Sequence, residues 1–146
     1  MKVEIQIHSD YEETKVVIYA KELSEEVHKI QEKLTEWTPQ VLSGFYGDRL
    51  EIIDPEEILR IYAQDGKVFL KTEEKEYQLR LKLYEIEERL DKKIFVRISR
   101  SEIINLKKAV DFDLSYIGTI SVKLTNGENS FVSRRYLKKV KQVLGI

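Results

Sequence analysis

Three dipeptides divide much of this chain into short pieces. Gly47-Asp48, Asp65-Gly66 and Asn126-Gly127 each stand between two apolar runs of strand length, and residues of these types supply the positive φ angles that two-residue hairpin turns demand. The flanking runs are "VLSGFY" and "RLEII", then "ILRIYA" and "KVFLKTE", then "TISVKL" and "NSFVS". The last pair carries the strongest hairpin signal. "EYQLRL", "IFVRIS" and "AVDFDLS" are rich in β-branched and aromatic residues, so residues 41–146 are expected to be mostly β. The stretch between "IFVRIS" and Lys107-Lys108 reads as a brief apolar turn.

Helical spacing occurs in three places. In "KLYEIEERL", Leu83, Ile86, Glu87 and Leu90 share a face, and from Arg134 to about Leu144 the pattern turns Leu137, Val140 and Leu144 inward and Lys138, Lys139 and Lys141 outward. The third lies near the N-terminus, where Ser24 is placed to cap a helix whose stripe is Val27, Ile30, Leu34 and Trp37, ended by Pro39. Before it, "KVEIQIH" alternates at period two and "TKVVIYA" is β-branched and aromatic, so both read as strands that can pair around Ser9–Glu13. The expected fold class is therefore α+β: mostly β with a few helices. A small β-β-α unit over residues 1–40 precedes a β domain over 41–146, and it is too small to be securely stable by itself.

Several chemistries are excluded. There is no cysteine, and His8 and His28 are the only histidines, which rules out a disulfide framework, a zinc-thiolate site or a His-rich metal cluster. No cofactor is expected. No run approaches the roughly eighteen apolar residues of a membrane span, and Met1–Ala20 lacks the basic start and apolar core of a signal peptide, so a cytoplasmic location is expected. Ser133 has no histidine to activate it, and Glu73, Glu74 and Glu76, like Glu85, Glu87 and Glu88, read as solvated faces. Neither catalysis nor a small-molecule substrate is expected.

Charge is distributed unevenly. Residues 1–91 hold 13 Lys and Arg against 22 Asp and Glu, a net of −9, whereas residues 92–146 hold 12 against 4, a net of +8. A basic part of this kind favours a polyanion, because cations that neutralise phosphates release condensed counterions. Within it, Arg134 and Arg135 follow Ser133 at the start of the last helix, where the helix dipole disfavours cations by a few tenths of a kcal/mol to about 1 and attracts anions. Two arginines there imply an anion held by them and the free amides, with the Ser133 hydroxyl able to cap one N–H. The bland alternative is pairing with nearby acids. A second basic segment, "FVRISRSEIINLKK", sets Arg97 and Arg100 near a strand end, with Ser99 and Ser101 on either side of Arg100. Arginine forks match guanine O6 and N7, and serine hydroxyls can hold phosphate oxygens. Arg97 taken alone reads as a strand-face residue paired to a carboxylate.

"FVRISRSEIINL", followed by "LTNG" and "FVSRRYLKKVKQ", resembles the LytTR type of DNA-binding domain, over about Leu42–Ile146 and including "RIYAQDGKVFLKTEE" and "LYEIEERL". The resemblance implies an elongated β fold that presents loops to successive major grooves. It implies tandem imperfect repeats in double-stranded DNA, occupied by two protein molecules. It also implies base contacts from Asp65, Gly66 and Lys67 in the loop after the domain's first strand, from Arg100, and from Arg134. Ser99, Ser101, Ser133, Arg135, Lys138 and Lys139 would hold phosphates. Where many relatives have histidine before the residue matching Arg100, this chain has Ser99. About forty residues precede the domain, too few for a receiver, and the chain looks like the stand-alone regulators of this type, whose activity is often set by a neighbouring membrane protein. Residues 1–38 carry 5 Lys against 9 Asp and Glu, a poor surface for DNA, and are expected to serve a homodimer instead. An RNA-binding or protein-interaction module with a basic C-terminal face is the alternative. Stacked aromatics would favour RNA, but Phe69, Tyr77 and Phe95 alternate with polar residues as core positions do.

Overall fold

The computed structural model describes residues 1–37 and 41–146, and the chain divides into two compact units, Met1–Pro39 and Gln40–Ile146. In the second unit the first hairpin, β1 (Leu42–Tyr46) and β2 (Arg49–Ile53), leads through a 3-10 turn at Pro55–Glu57 to β3 (Arg60–Gln64) and β4 (Lys67–Lys71). The Asp54 carboxylate accepts from the Glu56 amide at the start of that turn, with Pro55 in the first position, where its missing N–H is harmless. There follow β5 (Glu76–Leu79), α2 (Leu83–Arg89), β6 (Phe95–Ser99), β7 (Glu102–Asn105), β8 (Ala109–Asp113), β9 (Ile120–Leu124), β10 (Asn129–Val132) and α3 (Leu137–Leu144). α1 (Glu25–Trp37) lies in the first unit.

All pairings are antiparallel. Seven strands form one sheet in the order β2-β1-β5-β4-β3-β7-β6, and three form another in the order β10-β9-β8. The large sheet is covered on both faces, and alternation along its strands sorts the side chains. Phe95, Ile103, Ile61 and Leu70 join Leu83 and Ile86 of α2 and Leu90 just after it, while Val96, Ile98 and Ile104 join Ile120, Val122, Leu124 and Val132 of the small sheet and Val140 of α3. β7 was expected as a turn. It is a strand, with Ile103, Ile104 and Asn105 almost wholly buried, and a four-residue strand covered on both faces shows no alternation to mark it.

Gly44 on β1 is where the sheet is tightest: a Cβ there would lie 2.7 Å from Tyr77 Cβ and 3.0 Å from Ile53 Cδ1. Gly44→Ala is therefore expected to lower stability by about 1–3 kcal/mol through overpacking, read from the urea midpoint. A change below about 0.5 kcal/mol would show that β1 slides freely past β5.

In the first unit α1 forms as expected: Ser24 Oγ accepts from the Val27 amide (3.3 Å), Glu25 and Glu26 occupy the first turn, and Val27, Ile30 and Leu34 are half-buried. The Trp37 side chain and the Pro39 stop lie outside the described residues. The two strands expected before α1 are not formed. Residues 1–24 have a turn, with the Tyr11 amide on the His8 carbonyl (3.2 Å), but no ladder. The reason is visible in the burial. Val3, Ile5 and Ile7 are 73%, 82% and 92% exposed, so the apolar side of "KVEIQIH" has nothing in this unit to cover it, and two short strands alone are marginal.

Candidate nucleic-acid interface

Three loops meet through main-chain bonds. The β3–β4 turn is Asp65-Gly66, with φ of 53° and 75°, the left-handed pair that a tight hairpin turn requires and that aspartate tolerates. The β6–β7 turn is Arg100-Ser101, and the antiparallel register Tyr62↔Glu102 puts it at the same end of the sheet. The Ala63 amide near the end of β3 donates to Ser101 O (2.8 Å), tying the strand that leads into the first turn to the second turn, and the Ser133 amide donates to Ile98 O (2.9 Å), tying the segment after β10 to β6. The first loop was expected after the domain's first strand. It follows the third, because the β1–β2 hairpin precedes it in the same sheet.

The β6–β7 turn is held from beneath. The Arg97 side chain, 14% exposed, donates from Nε to Ser99 O (2.7 Å), from NH2 to Arg100 O, and from NH1 to Glu87 of α2. One planar fork thus grips two carbonyls of the turn and one carboxylate, in keeping with the pairing expected for Arg97. The Ser101 amide donates to Ser99 Oγ (3.2 Å), while the Arg100 side chain stands exposed. Arg97→Lys keeps the charge toward Glu87 but loses the fork. It is expected to quicken hydrogen exchange of the Ser101 amide roughly tenfold, the equivalent of one hydrogen bond to a charged group, and NMR exchange measurements will read it.

Arg134 and Arg135 occupy a 3-10 turn, Arg134–Tyr136, that runs into α3. Ser133 stands before it but makes no side-chain capping bond. The expected cap is absent because its own amide and carbonyl, bonded to Ile98 O and by the Tyr136 amide (2.9 Å), already fix the turn. Lys138 and Lys139 are exposed in the first turn of α3, with Val140 buried between them and Lys141.

Pairing separates two kinds of cation. Among the described residues, Lys67, Arg100, Arg134, Arg135, Lys138 and Lys139 form no ion pair, so the bland alternative for the two arginines is not what the fold contains. Three paired cations, Arg60, Lys71 and Arg97, brace the scaffold. Arg60 of β3 reaches Glu128 Oε2 (3.0 Å) in the β9–β10 turn and Glu102 Oε2 (3.6 Å) on β7, Lys71 also holds Glu128, and Ser130 Oγ on β10 donates to Glu102 Oε2 (2.6 Å). The Arg60 guanidinium lies 4.3 Å from the centre of the Tyr62 ring, whose phenol donates to Glu76. Burial, then that bond, pushes the Tyr62 phenol up to about 12. Burial raises the Glu102 carboxyl, partly opposed by Ser130 and Arg60; burial acts the same way on Glu128, but Lys71 and Arg60 outweigh it and hold that carboxyl below its usual range.

Sequence reasoning missed this brace. Arg60 and Glu128 are 68 residues apart, and no local pattern links them. It also took several acids for solvated faces, whereas Glu73 accepts from Thr125 Oγ1 (2.9 Å), Glu76 from Tyr62 and Glu87 from Arg97. The aromatic reading held: Tyr77 and Phe95 are buried and Phe69 is half-buried against Tyr62, ring centres 5.4 Å apart. No cluster of His, Asp and Glu fit for a metal occurs among the described residues, and no helix among them is long and apolar enough to cross a membrane.

The family model of the LytTr DNA-binding domain matches residues 48–145 of this chain. Two relatives from different strains of Staphylococcus aureus, both described as uncharacterized HTH-type transcriptional regulators, are 29% and 28% identical over 147 residues, covering 100% of this chain and 99% of each relative. The chain is also similar to a solved structure, the LytTr DNA-binding domain of a methyl-accepting/DNA response regulator from Bacillus cereus. That similarity has a TM-score of 0.70 and 25% identity, over 73% of this chain and 97% of the other. For all the relatives' description, strands separate each α-helix of this chain from the next among the described residues, so no helix-turn-helix pair is formed.

Proposed function

Because the chain belongs to the LytTR DNA-binding domain family, we propose that it is a transcription regulator that binds double-stranded DNA with the three stitched loops and reads sequence from them. Gly66, Lys67, Arg100 and Arg134 meet base edges in the major groove. Ser99, Ser101, Ser133, Arg135, Lys138 and Lys139 hold phosphates on either side. The observation that carries this reading is the set of exposed cations that, among the described residues, have no ion-pair partner and stand on loops fixed by main-chain bonds or at the start of α3, while Arg60 and Arg97 of the neighbouring strands are engaged inside the scaffold. Unpaired cations keep their hydration and their charge for an external polyanion, and arginine on a short loop presents a fork without a recognition helix. Two copies occupy tandem repeats, joined through residues 1–38, and a separate membrane protein sets their activity. The protein works in the cytoplasm with no cofactor, no catalysis and no small-molecule substrate.

Selection of bound sites from random duplex DNA, followed by titration of the selected site against RNA and random DNA, tests the reading. One repeated motif should emerge, bound at least a hundredfold more tightly than random duplex. Lys139→Ala should weaken all duplexes alike and reduce the slope of log affinity against log salt by about 1. Equal or tighter binding to single-stranded RNA would replace this reading with the RNA-binding one.

A further inference from the structure

The large apolar side chains of residues 1–24 are all left uncovered by the fold. Val3, Ile5, Ile7, Tyr11, Val16, Val17, Ile18, Tyr19 and Leu23 are each more than a third exposed, and together they present area of the order of the roughly 800 Å² per partner found in a standard interface. The two stretches of strand-like sequence also differ in pattern. Residues 2–8 alternate, with Lys2, Glu4, Gln6 and His8 on the side opposite Val3, Ile5 and Ile7, as an outer strand does; in residues 14–20, Val16, Val17, Ile18 and Tyr19 are consecutive, as in a strand covered on both faces. A segment with the pattern of a central strand, and no strand beside it among the described residues, needs a neighbour from elsewhere.

We propose that residues 14–20 pair antiparallel with the same residues of a second copy, centred on Val17, with residues 2–8 flanking them in one intermolecular sheet. The sequence is self-complementary about that centre: Val16 falls opposite Ile18, Lys15 opposite Tyr19 and Thr14 opposite Ala20, with no like charges facing. Such a pairing is isologous, as a two-fold dimer requires. Its main-chain bonds occupy the N–H and C=O groups that the single chain leaves without a ladder. The proposal deepens the dimer reading above and rests on it: the sheet is the joint between two DNA-binding domains, and it raises the effective concentration of the second on a paired site.

The chain has no cysteine, so a single one reports cleanly. In an antiparallel pair, directly opposed residues have Cα atoms about 4.5–5.5 Å apart, within the span of a disulfide. Val17→Cys in the full chain should give a covalent dimer on mild oxidation at least tenfold faster than Ile117→Cys, a control at a fully exposed position of the β domain. The unmodified chain should sediment as a dimer across about 1–100 µM without DNA. Sedimentation as a monomer throughout, or a dimer in which Val17→Cys links no faster than the control, overturns the proposal. Val17→Asp, expected to be monomeric, should still bind one half-site as the unmodified chain does. Failure of both proteins to bind any half-site would refute the DNA reading and leave the sedimentation result to decide the dimer alone.

Discussion

Arg60→Met is expected to lower the unfolding free energy by about 3 kcal/mol at pH 7, the low end of what breaking a buried ion pair costs. The guanidinium lies between Glu102 and Glu128, with only 18% of its side chain exposed, and among the described residues no other cation pairs with Glu102. Methionine fills much the same volume, so the loss measures charge more than packing. The pH dependence gives a second check. Glu128, its pKa lowered when folded, contributes stability above the unfolded value near 4.5 that is lost as pH falls through the folded value. Glu102, raised by burial, acts in the opposite sense: its contribution is complete below 4.5 and is lost as pH rises through its folded value. Without Arg60 both carboxyls move upward and protonate more readily, so the deficit of the variant should shrink as pH falls from 7 toward 4. Urea denaturation at the two pH values decides it, and a deficit that stays constant would mean the loss is packing.

Arg100→Ala and Arg134→Ala should each weaken binding to the selected site by roughly 1–3 kcal/mol, and each should relax discrimination at its own base position. The two differ in what lies behind them. Arg100 sits on a turn whose carbonyl Arg97 holds from below, so its removal leaves the turn in place. Arg134 begins a 3-10 turn fixed by main-chain bonds at Ser133. Truncating either side chain should therefore leave thermal stability within about 0.5 kcal/mol of the parent, as for exposed sites without partners. The measurement is affinity for the selected duplex and for versions altered base by base. Equal losses on selected and random DNA would remove both residues from the base-reading set and make them phosphate contacts.

The hairpins were legible because each is a local device: a turn dipeptide and two alternating flanks lie within a dozen residues, and β1–β2, β3–β4 and β9–β10 form where those signals stand. α2 and α3 were legible for the same reason, through side chains three and four apart. β7 was not, since Ile103 and Ile104 point into different cores and a strand so short has no period. The strands expected before α1 show the converse failure. Their patterns are those of strands, but a pattern names the kind of neighbour a segment needs without supplying one. At the candidate site, the exposed residues Arg100 and Arg134 were visible from their position beside serines and a helix start. Glu87, Glu102 and Glu128, which hold the scaffold beneath them, were not, because a buried ion pair is a fact of topology and leaves no trace in local composition.

The bonds from Ala63 to Ser101 and from Ser133 to Ile98 are made by amides and carbonyls alone. Any residue except proline supplies them, so the spacing of the three loops is indifferent to which side chains they carry. If positions 67, 100 and 134 read bases as proposed, recognition can drift or be re-engineered there without a matching repair of the frame. A proline at 63 or 133 would do the reverse, keeping the side chains at 67, 100 and 134 and misaligning the loops that carry them.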